Sequence, residues 1–196
     1  MALLLKCFNF MTTEELEEKL EGQTENQSLE FKADMAWNVK SLIKDILAMS
    51  NVQDGGYIIF GIADKFFIRQ GISSINKTTF NYDIMKDQMA PYADPFVDFR
   101  LDFPKDKDGK DYIVIRVFPF QQIPIICRKD GDDVRAGVVY YRNTNGRPQS
   151  AAVSNSNDMR DIIETATLKM MQRKRKIGFT VDLDDKSKLD KELMDL

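Results

Sequence analysis

A chain of 196 residues with 43% hydrophobic and 30% charged side chains has the make-up of an ordinary globular domain, long enough to bury roughly 70% of its unfolded surface. It contains no histidine, which excludes Ser-His and Cys-His nucleophilic dyads, imidazole acid–base catalysis and Cys/His zinc sites. The net charge of −3 argues against a uniformly basic nucleic-acid binder, yet the acidic ends (residues 1–21 and 180–196, each −3) leave residues 22–179 at +3, compatible with a polyanionic partner.

The opening "MALLLKCFNF" has too short an apolar core and no basic start for a secretory signal, and no apolar run nears the roughly 20 residues that cross a bilayer. Cys7 and Cys127 are too few for a disulfide framework, so a reducing cytoplasm is the expected home. Residues 1–11 read as an N-terminal extension, with Met11 an alternative start. Thr12 followed by Glu15 forms a capping-box pattern, and a short helix is expected through about Leu20, closed by Gly22.

In "TENQSLEFKAD" (24–34) strand alternation puts Leu29 and Phe31 on one face and Ser28, Glu30 and Lys32 on the other. Two readings follow: a half-buried edge strand with a solvated outer face, or an acidic site built on Glu25 and Glu30. Val39, Leu42, Ile43, Ile46 and Leu47 recur at helical spacing, predicting a helix near 38–50. "YIIFGIAD" reads as a buried central strand, with Asp64 at its far end in the row of Ile58, Phe60 and Ile62. The loop 51–56 lacks the Gly-Lys-Ser/Thr of a phosphate cradle and leads into a strand, which disfavours nucleotide binding there.

"TTFNYDIMKDQMAPY" is expected to be helical until Pro91. "FVDFRLDF" and "DYIVIRVFPF" flank an Asp108-Gly109 hairpin signal, and "IPIICR" and "VVYYRN" flank a second at Asp130-Gly131. A helix from about Asn157 ends in four cations, 173–176, and residues 177–196 read as an acidic tail. Residues 12–176 thus form one α+β domain, a mixed, largely antiparallel sheet with packed helices. Trp37 and most of the phenylalanines are assigned to its core; Tyr140 and Tyr141 are candidates for stacking on bases.

"ENQSLEFK", an amphipathic helix, "AMSNVQDGGYIIFGIAD" and "IPIICR…VVYYRNTNGRPQSA" together resemble the Schlafen AlbA-type domain over roughly residues 12 to 170. Some members of that family are ribonucleases that hold a divalent metal on three acidic residues and cut transfer and ribosomal RNA. The resemblance implies that Glu25, Glu30 and Asp64 are the matching catalytic and metal-binding positions, with Mg²⁺ or Mn²⁺ as cofactor. Such hard cations favour carboxylate oxygen and lower the pKa of bound water, so no imidazole base is required. Lys32, Arg142, Arg147, Arg173 and Lys174 are candidate phosphate contacts. For Lys32 the competing reading is an ion pair with Glu30, for Arg142 and Arg147 a solvated hairpin, and for Arg173 and Lys174 complementation of the helix dipole.

Schlafen nucleases carry two such lobes in one chain, whereas this chain has one. A homodimer is therefore expected to complete a groove for RNA such as tRNA or rRNA. The alternative expectation is a non-catalytic DNA- or RNA-binding module of the same fold.

Overall fold

The structure is a computed structural model that describes residues 10–63, 67–143 and 148–178. Helix α1 (Thr13–Glu21) starts at the expected capping box: the Thr12 hydroxyl accepts from Glu15 N–H at 3.2 Å, and the Glu15 carboxylate accepts from Thr12 N–H at 2.8 Å. Strand β1 (Leu29–Lys32) alternates as read, with Leu29 and Phe31 buried and Glu30 and Lys32 half-buried opposite. Helix α2 (Val39–Ser50) is capped by the Asn38 side chain and turns Leu42, Ile43, Ile46 and Leu47 into the core.

Strands β2 (Gly56–Phe60) and β3 (Ile62–Ala63) follow; β4 (Ile68–Arg69) pairs back on β3. Gly55 at φ +71° makes the entry to β2, where an added Cβ would lie 2.2 Å from the Val117 carbonyl. Next come α3 (Ser74–Lys77), α4 (Tyr82–Met89), a 3₁₀ turn (Ala90–Tyr92) and β5 (Ala93–Asp94). The expected helix from Thr78 begins only at Tyr82. The Asn81 side chain accepts from the N–H groups of Asp83 and Ile84, both at 3.1 Å, and so fixes the start there.

Strands β6 (Phe99–Asp102) and β7 (Ile113–Val117) pair antiparallel across the turn at Gly109. The remaining elements are β8 (Ile126–Cys127), β9 (Tyr140–Asn143), β10 (Gln149–Ala152) and α5 (Ser156–Lys176).

The main sheet has the order β1-β2-β7-β6, parallel at β1·β2 and antiparallel elsewhere, so β1 is an edge strand. The fold is α+β, as the sequence implied, with helices packed on both faces of this sheet. One face packs on α2 and α4 through Ile58, Phe60, Ile113, Ile115 and Val117. The other packs on α1 through Leu29, Phe31, Ile59 and Val114. Among the described residues no helix is long and apolar enough to cross a membrane.

The second expected strand pair forms only over a short stretch. β8 pairs with β5 and β9 pairs with β10, while the segments before and after Asp130-Gly131 meet at an Ile126–Val139 bridge and through two backbone bonds, Cys127 N–H to the Val138 carbonyl at 2.9 Å and Gly137 N–H to the Cys127 carbonyl at 2.7 Å. Past the bridge the fully buried Asn51 side chain stands between the two segments. It accepts from Ile125 N–H at 2.8 Å and donates to the carbonyls of Ile125 and Tyr140, both at 2.9 Å. This cap of α2 therefore ties together three parts of the chain. Asn51→Ala should lower the unfolding free energy by about 3 kcal/mol, because several buried backbone groups lose partners together; urea titration measures it, and an unchanged midpoint would deny Asn51 this role.

Candidate functional site

β1 and α2 lie against the β9–β10 pair, and a cleft of about 310 Å³ opens where they meet. Its walls include Glu25, Glu30, Lys44, Asp45, Arg142 and Ser150. Glu25 and Glu30 thus come to one cleft by different routes. Glu30 projects from the polar side of β1, whereas Glu25 precedes the strand and accepts the Phe31 N–H at 3.0 Å. A carboxylate that caps the edge strand in this way satisfies a backbone donor that no neighbouring strand takes up.

The Glu30 carboxylate is shared between two cations. Oε1 receives Lys32 Nζ at 2.7 Å, and Oε2 receives the Arg142 guanidinium. Lys32 also reaches Asp45 Oδ2 at 2.9 Å, which makes a continuous chain Asp45–Lys32–Glu30–Arg142 across α2, β1 and β9. Burial pulls the Lys32 ammonium pKa down, but the Asp45 and Glu30 carboxylates outweigh it and hold the value above the usual lysine range.

Arg142 differs from its expected place on a solvated hairpin. Its side chain is 1% exposed. Besides Glu30, the guanidinium donates to the carbonyls of Asn26 at 3.0 Å and Leu29 at 3.4 Å. A guanidinium so far from water is tolerable only because a carboxylate and two carbonyls replace its hydration. Sequence offered a local signal for its exposure, the turn residues after it, and none for a partner 112 positions away.

Tyr140 and Tyr141 are likewise interior, which removes them as stacking platforms. The Tyr141 hydroxyl accepts from Gln27 Nε2 at 2.9 Å and donates to Asp161 at 3.3 Å. Burial, then the Asp161 charge, push the phenol up to about 12. Arg173 and Lys174 stand on the exposed last turn of α5, in a wholly basic segment where the helix dipole favours cations. Asp64 and Arg147 lie outside the described residues. Lys44 and Asp45 were missed because both sit in a helix whose reading was governed by its apolar stripe.

Do these residues fit a divalent metal? Among the described residues no group of three Asp, Glu or Cys side chains could hold one. Both Glu30 oxygens already face cations, and Asp45 faces Lys32. Glu30 and Asp45 are neutralised by Lys32 and Arg142, so the described set does not by itself make a metal centre.

A family model described as Schlafen, AlbA_2 matches residues 25–149, well over half of the chain. No curated protein matches. Fourteen solved chains do; among them is the crystal structure of the DIP2311 protein from Corynebacterium diphtheriae, 16% identical with a TM-score of 0.47. That match covers 74% of this chain and 27% of that one.

Two outcomes are expected of the ion chain. Glu30→Ala strands the buried Arg142 charge and should cost about 3–5 kcal/mol in chemical denaturation, more than Glu25→Ala does; equal, small losses would show that the pairs carry no weight. Because the folded Lys32 value lies above 10.5, its stabilising contribution is complete below pH 10.5 and fades as pH rises through the folded value. Lys32→Met should therefore flatten the alkaline fall in melting temperature, and a curve parallel to wild type would contradict this.

Proposed function

The chain belongs to the Schlafen, AlbA_2 family, and we propose on that footing that it binds nucleic acid as a non-cleaving module. Membership of this family carries a nucleic-acid-related function. The observation that supports binding over cutting is the state of Glu30: its two oxygens are taken by Lys32 and the buried Arg142. A metal would have to displace one of these cations, at the cost of leaving a charge unpaired. In this reading the acid–base chain fixes β9 and β10 against the sheet edge and keeps the cleft rigid.

A second reading has its own support. Glu25 and Glu30 line one cleft, as two ligands of a metal-dependent endoribonuclease would. With Asp64 as third ligand, Mg²⁺ or Mn²⁺ would polarise a phosphate and supply the hydroxide for cleavage of a structured RNA such as tRNA. Lys32 would then exchange its Glu30 bond for a phosphate, and a homodimer would widen the RNA-contacting surface. DNA is the alternative substrate, and cytoplasmic residence is part of the same proposal.

Incubation of the purified chain with labelled tRNA, in Mn²⁺ or in a chelator, separates the two. Binding without cleavage is expected, with affinity falling steeply as salt rises and unaffected by Glu25→Gln. Fragments that require Mn²⁺ and vanish in Glu25→Gln and Asp64→Asn would overturn the binding-only reading and establish the second.

A further inference from the structure

The face of the main sheet that carries α1 is covered only in part. Register places Leu29, Tyr57, Arg116 and Arg100 side by side in one row across its four strands. Leu29 is buried under α1, whereas Tyr57, Arg116 and Arg100 are half-exposed at the margin of that helix.

Two of the cations near this face have a carboxylate bonded to them. Arg100 pairs with Asp102 at 2.8 Å, and Arg69 with Glu17 at 2.8 Å. Lys19 and Arg116 do not: among the described residues neither makes an ion pair, and both are placed instead against the Tyr57 ring. Lys19 Nζ lies 3.9 Å from its centroid and the Arg116 guanidinium carbon 4.5 Å. Arg116 is also 5.3 Å from the ring of Phe118. Two like charges have thus been drawn to one aromatic side chain with no anion bonded between them.

Their ionisation reflects that arrangement. Burial lowers the Lys19 pKa and the Arg116 charge lowers it further, against the weaker pull of Glu18 and Glu15. Burial lowers Arg116 too, against the fields of Asp54 and Glu15. An anion seated here would relieve both shifts at once. Beside the pair runs a cleft of about 400 Å³ walled by Lys19, Thr24, Asn26, Ser28 and Tyr57, with Glu18 as its one carboxylate, so hydroxyl and amide groups stand next to Lys19.

We infer that Lys19 and Arg116, held on Tyr57, form a phosphate subsite that takes a backbone phosphate of a single-stranded nucleic acid. A guanidinium and an ammonium on a partly desolvated aromatic support suit a phosphate ester. The neighbouring Phe118 edge and polar cleft leave room for the strand to continue. The subsite rests on the nucleic-acid-binding reading and adds the surface that the acid–base cleft, with its neutralised charges, does not supply.

The test is fluorescence anisotropy with labelled single-stranded RNA and DNA oligonucleotides over a series of KCl concentrations, on wild type, Lys19→Gln/Arg116→Gln and a control pair, Lys40→Gln/Lys86→Gln. In parallel, melting temperatures are compared in inorganic phosphate and in chloride at equal ionic strength. The subsite variant should bind about tenfold or more weakly, and its salt slope should fall by about 0.7 for each phosphate contact removed. Its melting transition in chloride, read alongside, checks that the variant is folded.

Equal binding by wild type and subsite variant, or an equal loss in the control pair, would overturn the subsite and leave the binding reading standing. If wild type binds no oligonucleotide but phosphate raises its melting temperature and not the variant's, the site takes a free phosphate ester and the nucleic-acid reading falls. If neither response appears, both fall.

Discussion

The contact between Arg142 and Glu30 is the constraint on which the described architecture most depends. β1 is an edge strand with one free side, and the guanidinium closes part of that side by bonding to the Glu30 carboxylate and the Asn26 and Leu29 carbonyls. The same bonds hold β9, and with it β10, beside the sheet without any strand ladder between them. Lys32 and Asp45 extend the chain into α2. Each charge in it is tolerable only with its neighbour present, so the group behaves as a unit rather than as four separate surface contacts.

This gives the two faces of the main sheet different characters. On the α2 side, Asp45, Lys32, Glu30 and Arg142 meet two acids to two bases and satisfy one another. On the α1 side, Lys19 and Arg116 gather at Tyr57 without a bonded carboxylate. A polyanion is drawn to unneutralised cations, not to paired ones, which is why the proposed phosphate subsite falls on the second face although the sequence draws attention to the first. The chain's net charge of −3 is no obstacle, because local field rather than total charge governs such an encounter.

Much of the fold was legible residue by residue. The Thr12–Glu15 box, the apolar stripe of α2, the alternation of β1 and the β6–β7 hairpin are all set by neighbours within a few positions, and all appear as read. Two readings changed. A helix was expected from Thr78, but the Asn81 side chain competes for the first N–H groups and delays the start to Tyr82. The arms around Asp130-Gly131 pair only as far as Ile126 and Val139, because Asn51, more than seventy positions upstream of Ile125, inserts its amide between Ile125 and Tyr140. Local pattern is blind to an amide arriving from another element.

Within the site the division is sharper. Sequence by itself determined which chemistry is absent, through the lack of histidine, and which side of β1 carries Glu30 and Lys32, because strand alternation admits only two faces. It also placed Glu25 and Glu30 close enough along the chain to reach one cleft. Only the tertiary structure decided that Glu30 is bound on both oxygens, that Arg142 is interior and that Lys19 and Arg116 share a ring. The reason is physical: a charge's partner and its access to water follow from which elements the packed core brings within a few ångströms, and those elements lie far apart in the chain.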